Sequence, residues 1–352
     1  MKRHNDLYQK IYSFDNLHQA YLEARKGKRY RDEVLEFSAN LEENLIIIQN
    51  ELIWKTYKVG SYREFYVYEP KKRLIMALPF KDRVVQWAIY QVLNPLLERR
   101  FILDSYACRV GFGAHRAVDR LQYWLRKLKR QHDKIYILKM DISKYFYRVD
   151  HEVLLIILTN IIKDQDLLWL LGTILKSNDH PFGLSLDTGG RLNDIGMPIG
   201  NLTSQMFANL YLNELDQFVK HQLRSKYYMR YMDDSLVLHW DKAHLWHVKQ
   251  EIERFLDERL HLRLNNKTTI RAVNQGVDWV GYRVWPTHVK LRKSTAHKMK
   301  VRLKYLQKAY TRWEVDFEEV NASIQSYLGL LAHCDSYNLQ KKLLEALVFV
   351  RR

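Results

Sequence analysis

The feature that most limits the fold of this chain is a pair of adjacent aspartates set between two apolar and aromatic runs. Residues 227–239 read YYMRYMDDSLVLH, in which the acids are Asp233 and Asp234. Two such runs joined by a short polar break predict a β-hairpin whose turn carries the acids. Neighbouring carboxylates repel each other, and a divalent cation relieves that repulsion, so the pattern favours a metal site. The alternative is an ordinary turn, in which aspartate is common for conformational reasons alone.

A third acid with suitable surroundings stands earlier in the chain. Residues 135–140, IYILKM, form an apolar run typical of a buried strand, and Asp141 follows directly. A helical pattern begins near Asp150 or His151. An aspartate at the end of a core strand can reach a neighbouring hairpin, so that Asp141 and the two hairpin acids would surround two Mg²⁺ ions, with Mn²⁺ as an alternative. The simpler interpretation is that Asp141 caps the segment after it.

Seven segments follow one another in an order that is typical of one enzyme family. They are YREFYVYEPKKR (62–73), LPFKDR (78–83), MDISKYF (140–146), GMPIGNLTSQ (196–205), YMDD (231–234), LNNK (264–267) and VGY (280–282). Together they resemble the motifs of reverse transcriptases, over roughly residues 60–335. The resemblance implies an α+β right-hand polymerase fold with fingers, an antiparallel palm sheet that carries the YMDD hairpin, and a helical thumb.

The resemblance also divides the chain into three parts. Residues 1–60 would form an N-terminal helical extension of the fingers, residues 61–284 the fingers and palm, and residues 285–352 the thumb. Residues 290–312 contain nine Lys or Arg and no acid. Their apolar positions recur at helical spacing, which predicts a first thumb helix with one basic face along an RNA–DNA duplex. The apolar positions are Met299, Leu303, Leu306 and Tyr310.

For the chemistry, the resemblance assigns two-metal nucleotidyl transfer. Asp141 and Asp233 would bridge the metal ions, and the carbonyl of Ile142 would add a ligand. Asp234 would be a more peripheral ligand, because adjacent strand residues point to opposite faces. Lys267 resembles the lysine that protonates the leaving pyrophosphate, although a solvated loop lysine is the alternative. One metal would activate the primer 3′-hydroxyl and the other would neutralise the leaving group.

Phe146 resembles the aromatic residue that lies under the sugar of the incoming nucleotide and excludes a 2′-hydroxyl. This role predicts a preference for dNTPs over rNTPs and argues against an RNA-templated RNA polymerase. The alternative is that Phe146 is a core aromatic and that Tyr145 or Tyr147 takes its place.

Other residues are assigned to the nucleotide and to the template by the same resemblance. Lys72 and Arg73 would clamp the triphosphate, because guanidinium and ammonium groups both bind phosphate. Ile199 and Gly200 would lie beside the incoming nucleotide. The residues expected to contact template or primer are Arg109, His115, Arg116, Asn201, Ser204, Gln205, Lys298 and Arg302.

The loop at residues 199–205 departs from the usual family pattern. Most relatives carry Gln-Gly and then Ser-Pro, whereas this chain has Ile199-Gly200 and Ser204-Gln205. That form resembles the reverse transcriptases of diversity-generating retroelements, which copy a dedicated template RNA with errors at adenine. Because isoleucine lacks the hydrogen-bonding groups of glutamine, we expect weaker control of base-pair geometry and low fidelity. The alternative is that Ile199 only packs the loop.

The biological role stays open at this level. The retroelement interpretation predicts a small basic accessory protein oligomer as a partner, and a second reverse transcriptase is another candidate. An anti-phage defence reverse transcriptase that copies its own non-coding RNA is the first alternative. A polymerase-inactive RNA-binding scaffold is the second, and the intact acids argue against it.

Composition agrees with a nucleic-acid partner. The chain has 352 residues, a formal net charge of +17 and a pI of about 9.6. Such an excess favours a polyanion, here a structured non-coding or template RNA, although a membrane-surface protein would share the charge. We expect no membrane span, no signal peptide and no RNase H or endonuclease domain in these residues. Two cysteines, Cys108 and Cys334, provide no disulfide framework, which favours the cytoplasm of a bacterium, for a bacterial or phage-encoded protein.

Overall fold

The computed structural model describes residues 3–68, 72–176, 182–185, 188, 190–345 and 347–350. Glu69, Pro70 and Lys71 of the first motif lie outside the described residues. The α-helices are α1 Tyr8–Tyr12, α2 Phe14–Ala24, α3 Asp32–Ala39, α4 Leu41–Ile53, α5 Phe80–Glu98, α6 Ala114–Lys129, α7 His151–Thr159, α8 Gln165–Leu175, α9 Leu202–Gln217, α10 Lys242–Leu260, α11 Lys293–Thr311, α12 Phe317–Leu331 and α13 Tyr337–Glu345. The strands are β1 Arg63–Val67, β2 Arg73–Ala77, β3 Tyr136–Asp141, β4 Gly183–Leu184, β5 Arg191–Leu192, β6 Tyr228–Tyr231, β7 Asp234–His239, β8 Thr269–Ala272, β9 Val277–Trp279, β10 Tyr282–Val284 and β11 Val289–Leu291.

The palm is built on a four-stranded antiparallel sheet in the order β6-β7-β3-β8. The predicted hairpin is β6–β7, the predicted buried strand is β3, and α7 begins at His151 after the N-cap Asp150. These three predictions are confirmed, as is the α+β fold class. Because strands β3 and β7 pair side by side, the acids expected from sequence arrive at the same end of the sheet.

The two faces of this sheet are buried against different neighbours, as the alternation of side chains along a strand requires. Leu138 and Val237 belong to a large core that includes α5, α9 and α10. Ile137 and Leu236 face a second core that includes α6 and the small β9–β10–β11 sheet. A sheet covered on both faces gives the site a fixed base.

The fingers consist of the β1–β2 hairpin and the helices α1 to α5. Helices α1 to α4 lie between residues 8 and 53, in the region expected to be helical, and α1, α2 and α4 share one core with α5. In the hairpin every residue of β1 is exposed, whereas Leu74 and Met76 of β2 are buried. The hairpin therefore packs against the rest of the protein through β2.

The C-terminal helices α11, α12 and α13 form the predicted thumb. The apolar stripe of α11 is confirmed, since Met299, Leu303 and Leu306 are buried. The expected boundary at residue 284 falls between β10 and β11, which pair with each other. The first residues assigned to the thumb therefore complete a sheet that starts before that boundary, and the domain limits remain a prediction. In the described part of the chain, no helix combines the length and apolar content that a bilayer span requires.

Candidate active site

The three predicted acids meet at one end of the palm sheet. Antiparallel pairing sets Asp141 of β3 opposite Asp234 of β7. Asp233 lies in the two-residue turn between β6 and β7, after Met232, which has a φ of 57°. All three carboxylates line one cavity of about 570 Å³. The structure therefore brings the three predicted acids into one cavity, and their roles as metal ligands stay a prediction.

Electrostatics at the turn fit a bound cation. Burial, together with the nearby charges of Asp141 and Asp234, raises the pKa of the Asp233 carboxyl to about 6, against the lowering effects of a backbone hydrogen bond and of Arg73. Carboxylates held together in this way favour a divalent ion as counter-charge. Among the described residues, no group of three His, Cys, Asp or Glu side chains is placed so that it could hold a metal ion on its own. Oxygen donors from a substrate triphosphate and water would have to complete the shell, which is how Mg²⁺ is commonly bound.

Asn265 braces Asp141 from the neighbouring loop. Its side-chain Nδ2 donates to Asp141 Oδ2 at 3.1 Å, and its backbone N donates to the Asp141 carbonyl at 2.7 Å. Ile142 forms an antiparallel bridge with Leu264 beside this contact. Asn265 lies within the LNNK motif, but sequence reasoning did not single it out. The contact fixes the Oδ2 oxygen of the Asp141 carboxylate.

A buried ion pair lies directly behind the acid-bearing turn. Arg230 and Asp216 are both fully buried, and Arg230 Nη2 donates to Asp216 Oδ2 at 2.7 Å while its Nε donates to Oδ1 at 2.8 Å. Burial acts to lower the pKa of Arg230, but the Asp216 carboxylate raises it above its ordinary value. The Tyr228 hydroxyl donates to the same carboxylate at 2.7 Å. The pair is thus satisfied in the way that buried charges require.

The same guanidinium holds the turn itself. Arg230 Nη1 donates to the Met232 carbonyl at 3.0 Å and to Asn209 Oδ1 at 3.2 Å. Asn209 Nδ2 in turn donates to the Ala107 carbonyl at 2.7 Å. A non-glycine residue at positive φ needs such support, because this conformation is uncommon outside glycine. Sequence reasoning missed Arg230, Asp216 and Asn209, although a single arginine inside an apolar strand is a signal for a buried pair.

The three aromatic residues at positions 145–147, after Asp141, have different surroundings. Tyr145 points into the core, and its hydroxyl donates to the Ala208 carbonyl at 2.6 Å. Tyr147 stacks on Phe182 with ring centroids 4.6 Å apart. Phe146 and Tyr147 line the cavity and Tyr145 does not. The structure therefore removes Tyr145 from the alternatives for the sugar-contacting position, while the role of Phe146 stays a prediction.

The fingers contribute the opposite wall of the cavity. Lys72 and Arg73 both line it, and Lys72 Nζ lies 4.4 Å from the centroid of the Tyr66 ring. Ile199 lines it as well and also packs against the small cluster of Leu74, Met76 and Phe182, and its effect on base pairing stays a prediction.

Gly200 brings the loop backbone close to the fingers hairpin. Its φ is 127°, and an added Cβ would lie 3.0 Å from the Met76 carbonyl oxygen. The Met76 backbone N donates to the Ile199 carbonyl at 3.0 Å. A side chain at Gly200 would therefore be strained and would press on this contact.

The predicted template and primer residues have different surroundings. Ser204 and Gln205 line the cavity, and so does Asn201, whose Nδ2 donates to the Tyr62 hydroxyl at 3.0 Å. Arg109 is turned inward, where it pairs with Glu98 at 2.8 Å.

The remaining residues of that prediction lie farther out. His115 stacks on His333 of the thumb side at 3.5 Å, and Arg116 donates to the Gly111 carbonyl. Lys298 and Arg302 are exposed on α11. Lys267 is exposed and does not line the cavity. The roles of these residues in binding or proton transfer remain predictions.

Comparison with known proteins agrees with this geometry. Residues 67–284 match the family described as reverse transcriptase (RNA-dependent DNA polymerase). Protein YkfC of Escherichia coli K12 is 26% identical over 281 residues, which cover 70% of this chain and 72% of that protein. Group II intron-encoded protein LtrA of Lactococcus lactis is 28% identical over 190 residues, which cover 53% of this chain and 30% of LtrA. Among solved structures, a telomerase from Candida albicans in complex with a fragment of telomeric RNA matches at 13% identity and a TM-score of 0.49, covering 74% of this chain and 51% of that one.

The fold and the carboxylate-lined cavity define a right-hand nucleic-acid polymerase. The family match covers more than half of the chain, so the chain belongs to the reverse transcriptase family, the RNA-directed DNA polymerases. The assignment made from sequence motifs is confirmed at this level. The retroelement or defence branch stays a prediction.

Proposed function

We propose that this protein copies a dedicated structured RNA into cDNA by two-metal nucleotidyl transfer, with low fidelity. The observation that carries the polymerase activity is the meeting of Asp141, Asp233 and Asp234 in one cavity with Arg73 on the opposite wall. When bound, Mg²⁺ would activate the primer hydroxyl and neutralise the leaving pyrophosphate. Lys72 and Arg73 would bind the triphosphate, and Phe146 would lie against its sugar.

Primer extension on an RNA template tests the activity. Asp233→Ala should reduce dNTP incorporation by about 10³-fold or more, because a metal ligand is lost. RNA binding by the same variant should not be lost, since the acids repel the RNA backbone rather than bind it. Incorporation at the wild-type rate by Asp233→Ala would exclude this cavity as the catalytic centre.

Low fidelity rests on Ile199. This side chain lines the cavity where most relatives of the resembled family carry glutamine, and it offers no hydrogen bond to a base pair. Ile199→Gln should lower the error frequency, most of all opposite adenine, when cDNA copied from one defined RNA is sequenced. Ile199→Leu keeps an apolar side chain and serves as the control. Equal error spectra for the glutamine variant and the wild type would contradict this part of the proposal.

The role in the cell follows from which RNA the protein copies. A diversity-generating retroelement predicts adenine-biased changes in cDNA that co-purifies with the protein, and an accessory protein partner. An anti-phage defence role predicts cDNA copied from one non-coding RNA, repetitive or concatenated in form. Sequencing both strands of the co-purified nucleic acid separates these outcomes.

A second candidate is an RNA-binding scaffold without polymerase activity. The formal net charge of +17 favours RNA binding, a property that this candidate shares with a polymerase. It predicts that RNA alone co-purifies and that Asp233→Ala leaves the cellular phenotype intact. The three acids in one cavity favour the polymerase.

A further inference from the structure

Helix α4, in the N-terminal extension, is apolar on the side that faces solvent. Its inner face is fully buried through Leu45, Ile48 and Leu52. On its outer face Ile46 and Ile47 are 41% and 44% exposed. One turn or two further on, Ile53 is 42% and Trp54 is 74% exposed.

These outer side chains form one stripe rather than scattered positions. At 100° per residue, Ile46, Ile47, Ile53 and Trp54 fall on one side of the helix with the polar Asn50 among them, and Leu35 on the adjoining α3 is exposed as well. A helix that is apolar on both sides is one whose outer side is covered in its working state, and clustered exposed apolar residues mark interaction surfaces.

The charge around the stripe excludes nucleic acid as the covering partner. Residues 32–54 contain six Asp or Glu and no Lys or Arg, in a chain whose net charge is +17. Glu33 pairs with Arg83, and Glu51 pairs with Lys81. The other acids of the segment are exposed and make no ion pair with any residue that the structure describes; they are Asp32, Glu36, Glu42 and Glu43. Such a surface repels phosphate, so its partner is a protein.

The polarity of α4 makes the stripe complementary to itself. The exposed acids Glu42 and Glu43 stand at its N-terminal end, whereas Lys55 and Lys58 follow its C-terminal end. Lys55 already pairs with Asp166 of its own chain, and Lys58 is exposed. Two such helices side by side in opposite directions would bring the acids of each toward the lysines of the other. Parallel packing would set acid against acid.

We infer that α4 is the contact surface for a second copy of this chain, packed antiparallel around a two-fold axis near Asn50. In that arrangement Ile46 of one chain lies against the partner's Ile53, and the reverse contact is identical, as a closed two-fold interface requires. Thirteen residues give a helix of about 20 Å, long enough for two turns of each helix to interlock at a separation of about 8–10 Å. Leu35 and Trp54 would widen the contact beyond the helix pair.

The mass of the full-length protein in solution tests the inference. The protein is first treated with nuclease and washed in high salt, because bound nucleic acid bridges copies. Sedimentation equilibrium should then give twice the 42.5 kDa of one chain. Ile46→Glu combined with Ile53→Glu should give one chain, and Ile156→Glu, which alters an isoleucine 60% exposed on α7, should leave the dimer intact. Circular dichroism confirms that each variant is folded, which is expected because the altered side chains are already exposed.

Three results would overturn the inference. If the wild-type chain is monomeric at every concentration, a different protein covers the stripe. A dimer that survives the double substitution is made by another face. Loss of the dimer in Ile156→Glu as well shows a general effect of added charge.

Cross-linking tests the orientation. In a background with Cys108→Ser and Cys334→Ser, Asn50→Cys should form an intermolecular disulfide under mild oxidation, because it lies at the two-fold axis. Glu43→Cys should not, because antiparallel packing sets its two copies at opposite ends. A disulfide through position 43 and none through position 50 would mean that the helices are parallel and the inference is wrong.

Discussion

Two antiparallel hairpins face each other across the active-site cavity, and they are held in different ways. The β6–β7 hairpin is buried on both sides, and Arg230 and Asp216 fill the space behind its turn. In the β1–β2 hairpin one strand is exposed along its whole length, and the cluster behind the other strand is small. Elements with few buried contacts open at lower free energy than the core. The acids therefore lie on the more stable wall of the site, and Lys72 and Arg73, the cations proposed to bind phosphate, lie on a less stable one.

That difference suits the chemistry. Metal ligands must keep their spacing, since catalysis depends on geometry held before substrate arrives. A wall that binds a triphosphate has to admit it and release pyrophosphate in each cycle, and loops that do so are drawn from less stable regions. Each of the following changes alters one wall or the connection between them.

The largest effect is expected from Asp216→Ala. It leaves Arg230 charged and unpaired in the core, which costs about 3–5 kcal/mol of unfolding free energy. It also releases the turn that carries Asp233, so DNA synthesis should be lost together with stability. Urea denaturation measures the first effect and primer extension the second. Asp257→Ala, which removes an exposed ion pair with Arg263, is the control and should cost at most about 1 kcal/mol. Equal losses for the two variants would show that the buried pair does not fix the palm wall.

Arg73→Ala should alter the fingers wall without altering stability. Loss of a charge-assisted contact to phosphate is worth about 1.5–3 kcal/mol, so the KM for dNTP should rise by about 10- to 100-fold. The urea midpoint should stay at the wild-type value, because Arg73 is exposed. Arg63→Ala changes an arginine at the other end of the same hairpin and should leave KM unchanged. A KM shift of the same size in both variants would argue for a general charge effect.

Phe146→Ala tests the third surface of the cavity, next to the palm wall. Removing the ring should let a ribose 2′-hydroxyl enter, which lowers the preference for dNTP over rNTP by about tenfold or more. Competition between dCTP and CTP in primer extension measures the ratio. Tyr147→Ala, which removes the ring stacked on Phe182, is the matched control. If the control changes the ratio and Phe146→Ala does not, then Tyr147 is the residue under the sugar.

The smallest effect concerns the loop that connects the two walls. His151 is buried, and its Nε2 contacts the Gly196 carbonyl at 2.7 Å. Burial lowers the pKa of His151, so the unfolded chain binds more protons than the folded one at acid pH. This part of the stability is complete above the ordinary pKa of about 6.5 and is lost as the pH falls through that value. His151→Gln should remove that pH dependence, as measured by urea denaturation between about pH 5 and 7.5. An unchanged slope would mean that other groups cause it.

The contrast between the hairpins also explains what the sequence could predict. Asp141 and the Asp233–Asp234 turn were found because continuous apolar runs, broken by short polar turns, leave a local pattern in the sequence. Arg230 and Asp216 were not, since their partnership depends on how a helix and a strand pack. The alternatives for Ile199 stayed open for a similar reason: the residue both lines the cavity and packs against Met76, and only the fold shows that one side chain does both.

The apolar pattern of the sequence predicts less about the helices on the outside of the molecule. An amphipathic pattern gives the inner face of α4, as Leu45, Ile48 and Leu52 show. From the sequence alone, the exposed isoleucines of α4 would be assigned to the same core. Only the folded structure shows that these isoleucines lie on the outer surface, where they are available to a binding partner.

The hydrogen bond from the Met76 backbone to the Ile199 carbonyl ties the fingers hairpin to the loop beside the base pair. Because both atoms belong to the main chain, no substitution other than proline at position 76 deletes the bond. A hairpin that shifts as it takes up a triphosphate would carry that loop along. Binding of the triphosphate and positioning of the base pair would then depend on one joint movement. A mismatched base that displaces the loop would therefore also displace the hairpin from its triphosphate-bound position.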